Sequence, residues 1–162
     1  MFHLTKEGIP YGTIILGSRA TWLDRHAAEE LRSYVKKLSG ATLIITNERY
    51  ASSIEGGKIL IGRASTSDIV GAFAAHYPDV LPEESDTEND CVAYAVRGDT
   101  LVISGSNDRS VYYSVCHLLQ TEFGVGFYWD RDVFEKKRSL SLPDGLTLQE
   151  RSEFKMRHTI GQ

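Results

Sequence analysis

Residues 13–40 have the sequence TIILGSRATWLDRHAAEELRSYVKKLSG, a strand pattern followed directly by a helix pattern. The apolar, β-branched run from Thr13 to Leu16 is typical of a buried strand. Thr21 and Asp24 place a hydroxyl and a carboxylate three residues apart, which predicts a capping box at the start of a helix. Gly40 then suits the end of that helix. Apolar residues recur between these ends at helical spacing, so one face of the helix is expected to pack on a sheet: Ala27, Leu31, Tyr34, Val35 and Leu38.

The rest of the chain continues this alternation of strands and helices. Further strands are predicted at 43–45, 58–61, 92–96, 101–103, 127–129 and 140–142, with a hairpin turn at Gly98-Asp99. A short helix is expected from Ser67-Asp68 to Pro78, and a longer one from a cap at Ser106 or Asn107 to Gly124. This order predicts the α+β class, an α/β layer in which helices pack on a mixed β-sheet.

Length and composition restrict the possible functions. The 162 residues have 41% hydrophobic and 25% charged content, with 18 Lys+Arg against 22 Asp+Glu, so the formal net charge is −4. A chain of this length buries enough surface to fold without a metal ion or a disulfide. The acidic balance argues against binding to nucleic acid, and no apolar run is long enough to span a membrane. Two cysteines do not fix the redox compartment. These numbers indicate a soluble domain with neither nucleic acid nor membrane as a partner.

Two patterns resemble metal sites. His26 and Glu30 lie four residues apart on one predicted helix face, but the inverted zincin motif requires a histidine where Glu30 stands. Asp86, Glu88 and Asp90 alternate like the start of a calcium loop, without its turn glycine and its twelfth-position glutamate. For the first pattern the favoured interpretation is a solvated helix face, and for the second it is a surface loop. We therefore expect no metal and no cofactor.

Other patterns of possible catalytic or adhesive residues also have structural explanations. Arg97-Gly98-Asp99 has the sequence of a cell-adhesion tripeptide, but a hairpin turn accounts for its Gly and Asp. Cys116 and His117 are adjacent on a helix, which points their side chains about 100° apart and prevents a thiolate–imidazole pair. The sequence has neither a nucleophile elbow nor a phosphate-binding loop. No catalytic residue is predicted, and the chain by itself is not expected to be an enzyme.

Aromatic residues form the remaining group of candidate contact residues. Such rings stack on sugars, and they also fill cores and contacts between domains, which is the commoner use. Both interpretations stay open for the four candidates, which are Tyr112, Tyr113, Tyr128 and Trp129.

Taken in order, several segments resemble one family of domains. They are the helix segment 27–40, the strand Ile59-Leu60-Ile61-Gly62, the pair Tyr94-Ala95-Val96 and Leu101-Val102-Ile103-Ser104-Gly105, the helix 109–119, the run Phe123-Gly124-Val125-Gly126-Phe127-Tyr128-Trp129, and Phe154-Lys155-Met156-Arg157. Together they are similar to the non-catalytic α/β domain that precedes the barrel in glycoside hydrolases of the β-N-acetylhexosaminidase (family 20) and α-glucuronidase (family 67) type.

This resemblance implies a zincin-like fold without the metal site, in a domain that supports a downstream catalytic barrel during carbohydrate degradation. The catalytic carboxylates of such families lie on the barrel, so none is transferred to this sequence. Residues 1–145 would form the accessory domain, and 146–162 a linker and the start of a TIM-barrel domain, with Arg157 a candidate for the barrel entrance. A periplasmic or secreted location is implied in the same way. The alternative is a stand-alone carbohydrate-binding module that uses exposed aromatics.

Overall fold

The computed structural model describes residues 1–85, 90–128 and 130–151. The strands are β1 (Phe2–Lys6), β2 (Ile9–Pro10), β3 (Gly12–Leu16), β4 (Ile45–Asn47), β5 (Gly57–Ile61), β6 (Cys91–Arg97), β7 (Thr100–Gly105), β8 (Gly126–Phe127), β9 (Asp132–Val133), β10 (Leu140–Leu142) and β11 (Thr147–Arg151). The helices are α1 (Trp22–Ser39), α2 (Asp68–His76) and α3 (Asp108–Phe123), and a 3₁₀ helix covers Glu48–Ser53. No helix in these ranges is both long and apolar enough to cross a membrane.

A six-stranded mixed sheet in the order β11-β6-β7-β5-β3-β4 is the centre of the fold. The strands β4, β3, β5 and β7 are parallel, whereas β6 is antiparallel to β7 and β11 is antiparallel to β6. The sheet buries apolar side chains on both faces, with α1 and α3 on one face and α2 on the other. This arrangement confirms the predicted mixed sheet with helices packed on it.

Both long helices begin and end as the sequence predicts. Thr21 Oγ1 accepts a hydrogen bond from the Asp24 N–H at 3.1 Å, and Asp24 Oδ2 accepts one from the Thr21 N–H at 3.1 Å. Asn107 caps α3 in the same reciprocal way through Ser110. Gly40 and Gly124 end α1 and α3 in the left-handed conformation that glycine adopts without steric cost.

Three predicted strands differ from the structure in their pairing or in their bounds. The segment 140–142 pairs with β1, so that β10, β1 and β2 form a separate three-stranded sheet. Of the segment predicted as a strand at 127–129, Phe127 belongs to the short β8, which pairs with β9, and Trp129 lies outside the described residues. The strand predicted at 43–45 begins at Ile45.

Residues 147–151, at the start of the predicted linker, form β11 at the edge of the main sheet. Each residue from Thr147 to Arg151 has a partner in β6. The backbone groups along the outer side of β6 need such partners, and a polar strand suits an edge that faces solvent. The polar sequence of 147–151 therefore indicates an exposed edge strand as well as it indicates a connector.

Candidate functional site

A row of four rings crosses the N-terminal halves of α1 and α3 on the outer face of the helix layer. We call Trp22, His26, Tyr112 and Tyr113 the aromatic row. Its ring centroids are 5.8 Å apart between Trp22 and His26, 5.0 Å between His26 and Tyr112, and 5.8 Å between the two tyrosines. The structure thus joins two predicted residues, Tyr112 and Tyr113, to two that the aromatic prediction missed. The spacing of 22 and 26, one helical turn, was the available signal.

Stacking within the aromatic row limits what it can bind. His26 and Tyr112 are stacked with an interplanar angle of 18°, so each ring turns one of its two faces to the other. Trp22 is 65% exposed and is the most accessible ring of the row. Burial raises the pKa of the Tyr112 hydroxyl, within the row, above its usual range. It also raises the pKa of the neighbouring Cys116 thiol to about 12. Cys116 is therefore a protonated, buried thiol at neutral pH. The row presents apolar contact surface with no activated nucleophile.

Tyr128 lies elsewhere, in the hairpin of β8 and β9 that follows the C-terminus of α3. Its backbone N–H donates to the Arg131 carbonyl at 3.0 Å, and the Arg131 N–H donates back at 3.3 Å. The Tyr128 side chain is 62% exposed. Its Cε2 stands 2.9 Å from where a Cβ on residue 126 would lie, so the ring rests against Gly126. The hairpin therefore presents one exposed aromatic ring.

The base of this hairpin is attached to α1. Phe127 meets the ring of Tyr34 edge-on, with centroids 5.2 Å apart, and the Tyr34 hydroxyl donates to the Asp132 carboxylate. Because Tyr34 lies two turns after His26 on α1, the hairpin and the aromatic row are separated along the helix layer. The predicted aromatic group is thus divided between two places. Trp129 and Arg157 lie outside the described residues.

The patterns that resembled metal sites do not assemble one in the described part of the chain. No group of three or more His, Cys, Asp or Glu side chains there is placed to hold a metal ion. His26 instead stacks on Tyr112, as part of the aromatic row. Of the acidic loop, Asp86 and Glu88 lie outside the described residues, and Asp90 is buried, bound by Asn107 at 2.8 Å and by Arg109 at 3.2 Å.

Cys116 and His117 diverge as predicted. His117 Nδ1 is 3.3 Å from the hydroxyl of the fully buried Tyr94, which donates to Glu122 at 2.9 Å. His117 Nε2 is 3.4 Å from a carboxylate oxygen of Glu150, on β11. This network connects α3 to β6 and to the edge strand, so its contacts are those of a structural polar cluster.

Gly98 confirms the hairpin interpretation of the adhesion-like tripeptide. It adopts a positive φ of 60° in the turn between β6 and β7. Both charged neighbours of Gly98 form hydrogen bonds within the fold. Arg97 donates to Thr147 at 2.7 Å, and Asp99 accepts from Lys58 at 3.4 Å. The tripeptide therefore stabilises the turn and the docking of β11.

Polar side chains also gather where the parallel strands end, which is the edge where α/β sheets usually bind ligands. Here they bind one another. Arg63, whose side chain is 14% exposed, pairs with Glu84 at 2.9 Å and with Asp108. Asp24 is fully buried, and its Oδ1 has no hydrogen-bond partner among the described residues. Burial raises the pKa of Asp24 above its ordinary value, against the hydrogen bond from the Thr21 N–H that lowers it.

The raised pKa of Asp24 predicts a pH-dependent effect of Asp24→Asn. The folded protein holds this proton more tightly than the unfolded chain, so wild type loses stability as the pH rises above the unfolded pKa of about 4. The amide introduced by the substitution carries no such charge. The free energy of unfolding of Asp24→Asn, relative to wild type, should therefore increase between pH 4 and pH 7 in urea titrations.

Asp68→Asn is the matched control for this pH dependence. Asp68 also lies in the first turn of a helix, but it is exposed and paired with Arg19 at 2.7 Å. Its replacement should give no gain with rising pH, because a neutral side chain there loses an ion pair. A difference between Asp24→Asn and wild type that stays constant from pH 4 to pH 7 would contradict the role of buried charge.

The comparisons with known proteins show a likeness of fold. No protein-family model matches the chain, and no curated protein is similar to it. Among solved structures, it is similar to a family GH115 4-O-methyl-α-glucuronidase with specificity for decorated arabinogalactans, at 16% identity and a TM-score of 0.63. A weaker likeness, at 14% identity and a TM-score of 0.43, is to CpGH84D.

Each likeness covers most of this chain but only a minor part of the other protein. The first covers 92% of this chain and 18% of the glucuronidase, and the second covers 68% of this chain and 17% of the other. The chain thus spans less than a fifth of the length of either structure. The assignment to the family 20 or family 67 type, the zincin-like fold and the division at residue 145 stay predictions.

Proposed function

We propose that this chain is a non-catalytic accessory domain of a glycoside hydrolase, supporting a catalytic domain that follows it in the same polypeptide. The observation that carries the proposal is the unequal coverage, since nearly the whole chain matches a minor part of a much longer α-glucuronidase. The ordered sequence resemblance to domains that precede barrels supports the same position in a longer protein. Action on polysaccharides outside the cytoplasm, in the periplasm or after secretion, belongs to this proposal.

The chemistry of the described residues agrees with a supporting role. Hydrolysis of a glycosidic bond generally uses two carboxyl groups on either side of the scissile bond. The buried carboxylates described above have structural tasks instead: Asp24 caps α1, and Asp90 is held by Asn107 and Arg109. Their hydrogen bonds stabilise the loops at the end of the sheet.

The proposal predicts that purified chain 1–162 releases no nitrophenol from a panel of nitrophenyl glycosides and glucuronides. A longer natural protein that contains the chain should hydrolyse at least one glycoside, because the catalytic carboxylates would lie on the following domain. Turnover by the 1–162 chain that persists through a second purification would contradict the proposal.

A second candidate function is carbohydrate binding through the hairpin. The observation that favours it is the Tyr128 ring, 62% exposed and resting against Gly126. Aromatic rings held in this way can stack on sugars. Retention of 1–162 on insoluble polysaccharide would favour this function if Tyr128→Ala abolished it and Tyr50→Ala did not. Tyr50 is a suitable control because it is 55% exposed and lies on the 3₁₀ helix.

A further inference from the structure

We propose that the aromatic row is the surface on which the following domain of the same polypeptide docks. This inference rests on the proposed function and adds to it the place of contact. It commits to one occupant, a folded domain covalently continuous with β11. A second copy of the chain and a glycan are the competing occupants.

The edge strand ends at the side of the fold where the aromatic row lies. β11 runs in the same direction as β7, so Arg151, paired with Cys91, lies at the carboxyl edge of the parallel strands. The helices α1 and α3 begin at this edge. Glu150 contacts His117 at 3.4 Å, and His117 lies one helical turn from Tyr113 on the same face of α3. Arg151, the last described residue, therefore lies at the same edge of the fold as the Tyr113 end of the aromatic row.

The aromatic row also has the composition of a protein contact surface. Trp22 leaves 65% of its surface exposed in the first turn of α1, beside the ring of His26 at one end of the row. Tryptophan and tyrosine are enriched among the residues that dominate binding energy at protein contacts. Because stacking already orders His26 and Tyr112, docking on the row would cost little additional side-chain entropy.

The same stacking argues against a glycan as the occupant. A sugar stacks on the open face of an aromatic ring, and His26 and Tyr112 each turn one face to the other, so the row offers a sugar fewer open faces than four separate rings would. A protein surface can instead use ring edges and the exposed indole together. A covalently linked domain also needs less intrinsic affinity than a free partner, because the linkage supplies a high effective concentration.

The test compares two exposed histidines as reporters. His26 belongs to the row, whereas His76 ends α2 on the opposite face of the sheet. Diethyl pyrocarbonate modification, followed by mass spectrometry, is measured in chain 1–162 and in the longer natural protein. We expect His26 to react about tenfold more slowly in the longer protein, a factor that corresponds to about 1.4 kcal/mol of docking free energy. His76 should react at the same rate in both.

Trp22→Ala in the longer protein should restore the His26 rate to that of the same variant of 1–162, whereas Tyr50→Ala should leave the protection intact. Equal rates for His26 in the two wild-type proteins would overturn the docking surface. Protection of His26 in 1–162 that rises with its concentration, or on addition of polysaccharide, would overturn it in favour of the other occupants.

Hydrolysis assayed on the same samples separates the two proposals. An active longer protein with unprotected His26 would overturn the docking surface and leave the accessory role standing. A reading frame that ends at Gln162 would overturn both. A following domain without hydrolase activity would overturn the accessory role, and the His26 rates would then decide the docking surface by themselves.

Discussion

Gly17→Ala is expected to lower the free energy of unfolding by about 3 kcal/mol or more, a decrease in Tm of roughly 10 °C for a domain of this size. Gly17 lies directly after β3, where the loop towards α1 touches the loop that precedes α2. A Cβ at this position would stand 2.0 Å from the backbone oxygen of Thr66 and 2.5 Å from the Cα of Ser67. That oxygen also accepts a hydrogen bond from Arg19 N–H at 3.1 Å, so the two loops would have to separate.

Gly71→Ala is the matched control, with the opposite sign expected. Gly71 lies inside α2, and a Cβ there would be 3.8 Å from the Cβ of Ala64, an ordinary contact. Alanine should stabilise the helix by about 0.5–1 kcal/mol. Thermal and urea unfolding of both variants measure the two effects. An unchanged stability of Gly17→Ala would show that the loops adapt to the methyl group.

Asn107→Ala is expected to lower the free energy of unfolding by about 3 kcal/mol, because the side chain has two separate tasks. Its Oδ1 accepts from the Ser110 N–H at 2.9 Å and caps α3. Its Nδ2 donates to Asp90 Oδ1 at 2.8 Å, and both residues are almost completely buried. Alanine removes the cap and also takes one donor from a buried carboxylate.

Two further variants separate these tasks in urea titrations. Asn107→Asp keeps the capping oxygen but sets a second carboxylate against Asp90, so its loss of stability at pH 7 should decrease as the pH is lowered towards 4. Asn47→Ala removes the cap of the exposed 3₁₀ helix, where Asn47 accepts from Arg49 N–H at 3.1 Å, and should cost less than about 1 kcal/mol. Equal losses for Asn47→Ala and Asn107→Ala would contradict the contribution of Asp90.

Local chemistry explains which elements could be predicted. The capping boxes at Thr21 and Asn107 and the left-handed ends at Gly40 and Gly124 each depend on residues within a few positions. The strands β3, β5, β6 and β7 are buried apolar segments and were predicted for that reason. A polar edge strand carries no such signal, because the pairing partners of Thr147–Arg151 lie 52 to 60 residues earlier in the chain.

The aromatic row likewise combines residues that the local sequence predicts with residues that only tertiary packing brings together. Tyr112 and Tyr113 were predicted as contact residues because aromatic side chains suit that use, and their adjacency placed them together. Trp22 and His26 join them only because α1 and α3 lie side by side on one face of the sheet. The same packing separates Tyr128 from the pair, since its hairpin follows the opposite end of α3.

By itself, the sequence of this protein determined the class of fold, the ends of its long helices and the exclusion of an obvious catalytic motif. These properties follow from hydrogen bonds and apolar spacing over a few residues. Only the tertiary structure decided that residues 147–151 complete the sheet, that His26 stacks on Tyr112, and that Asp24 carries a raised pKa. Each of these depends on groups that are distant in sequence or on burial from water, which the fold as a whole creates.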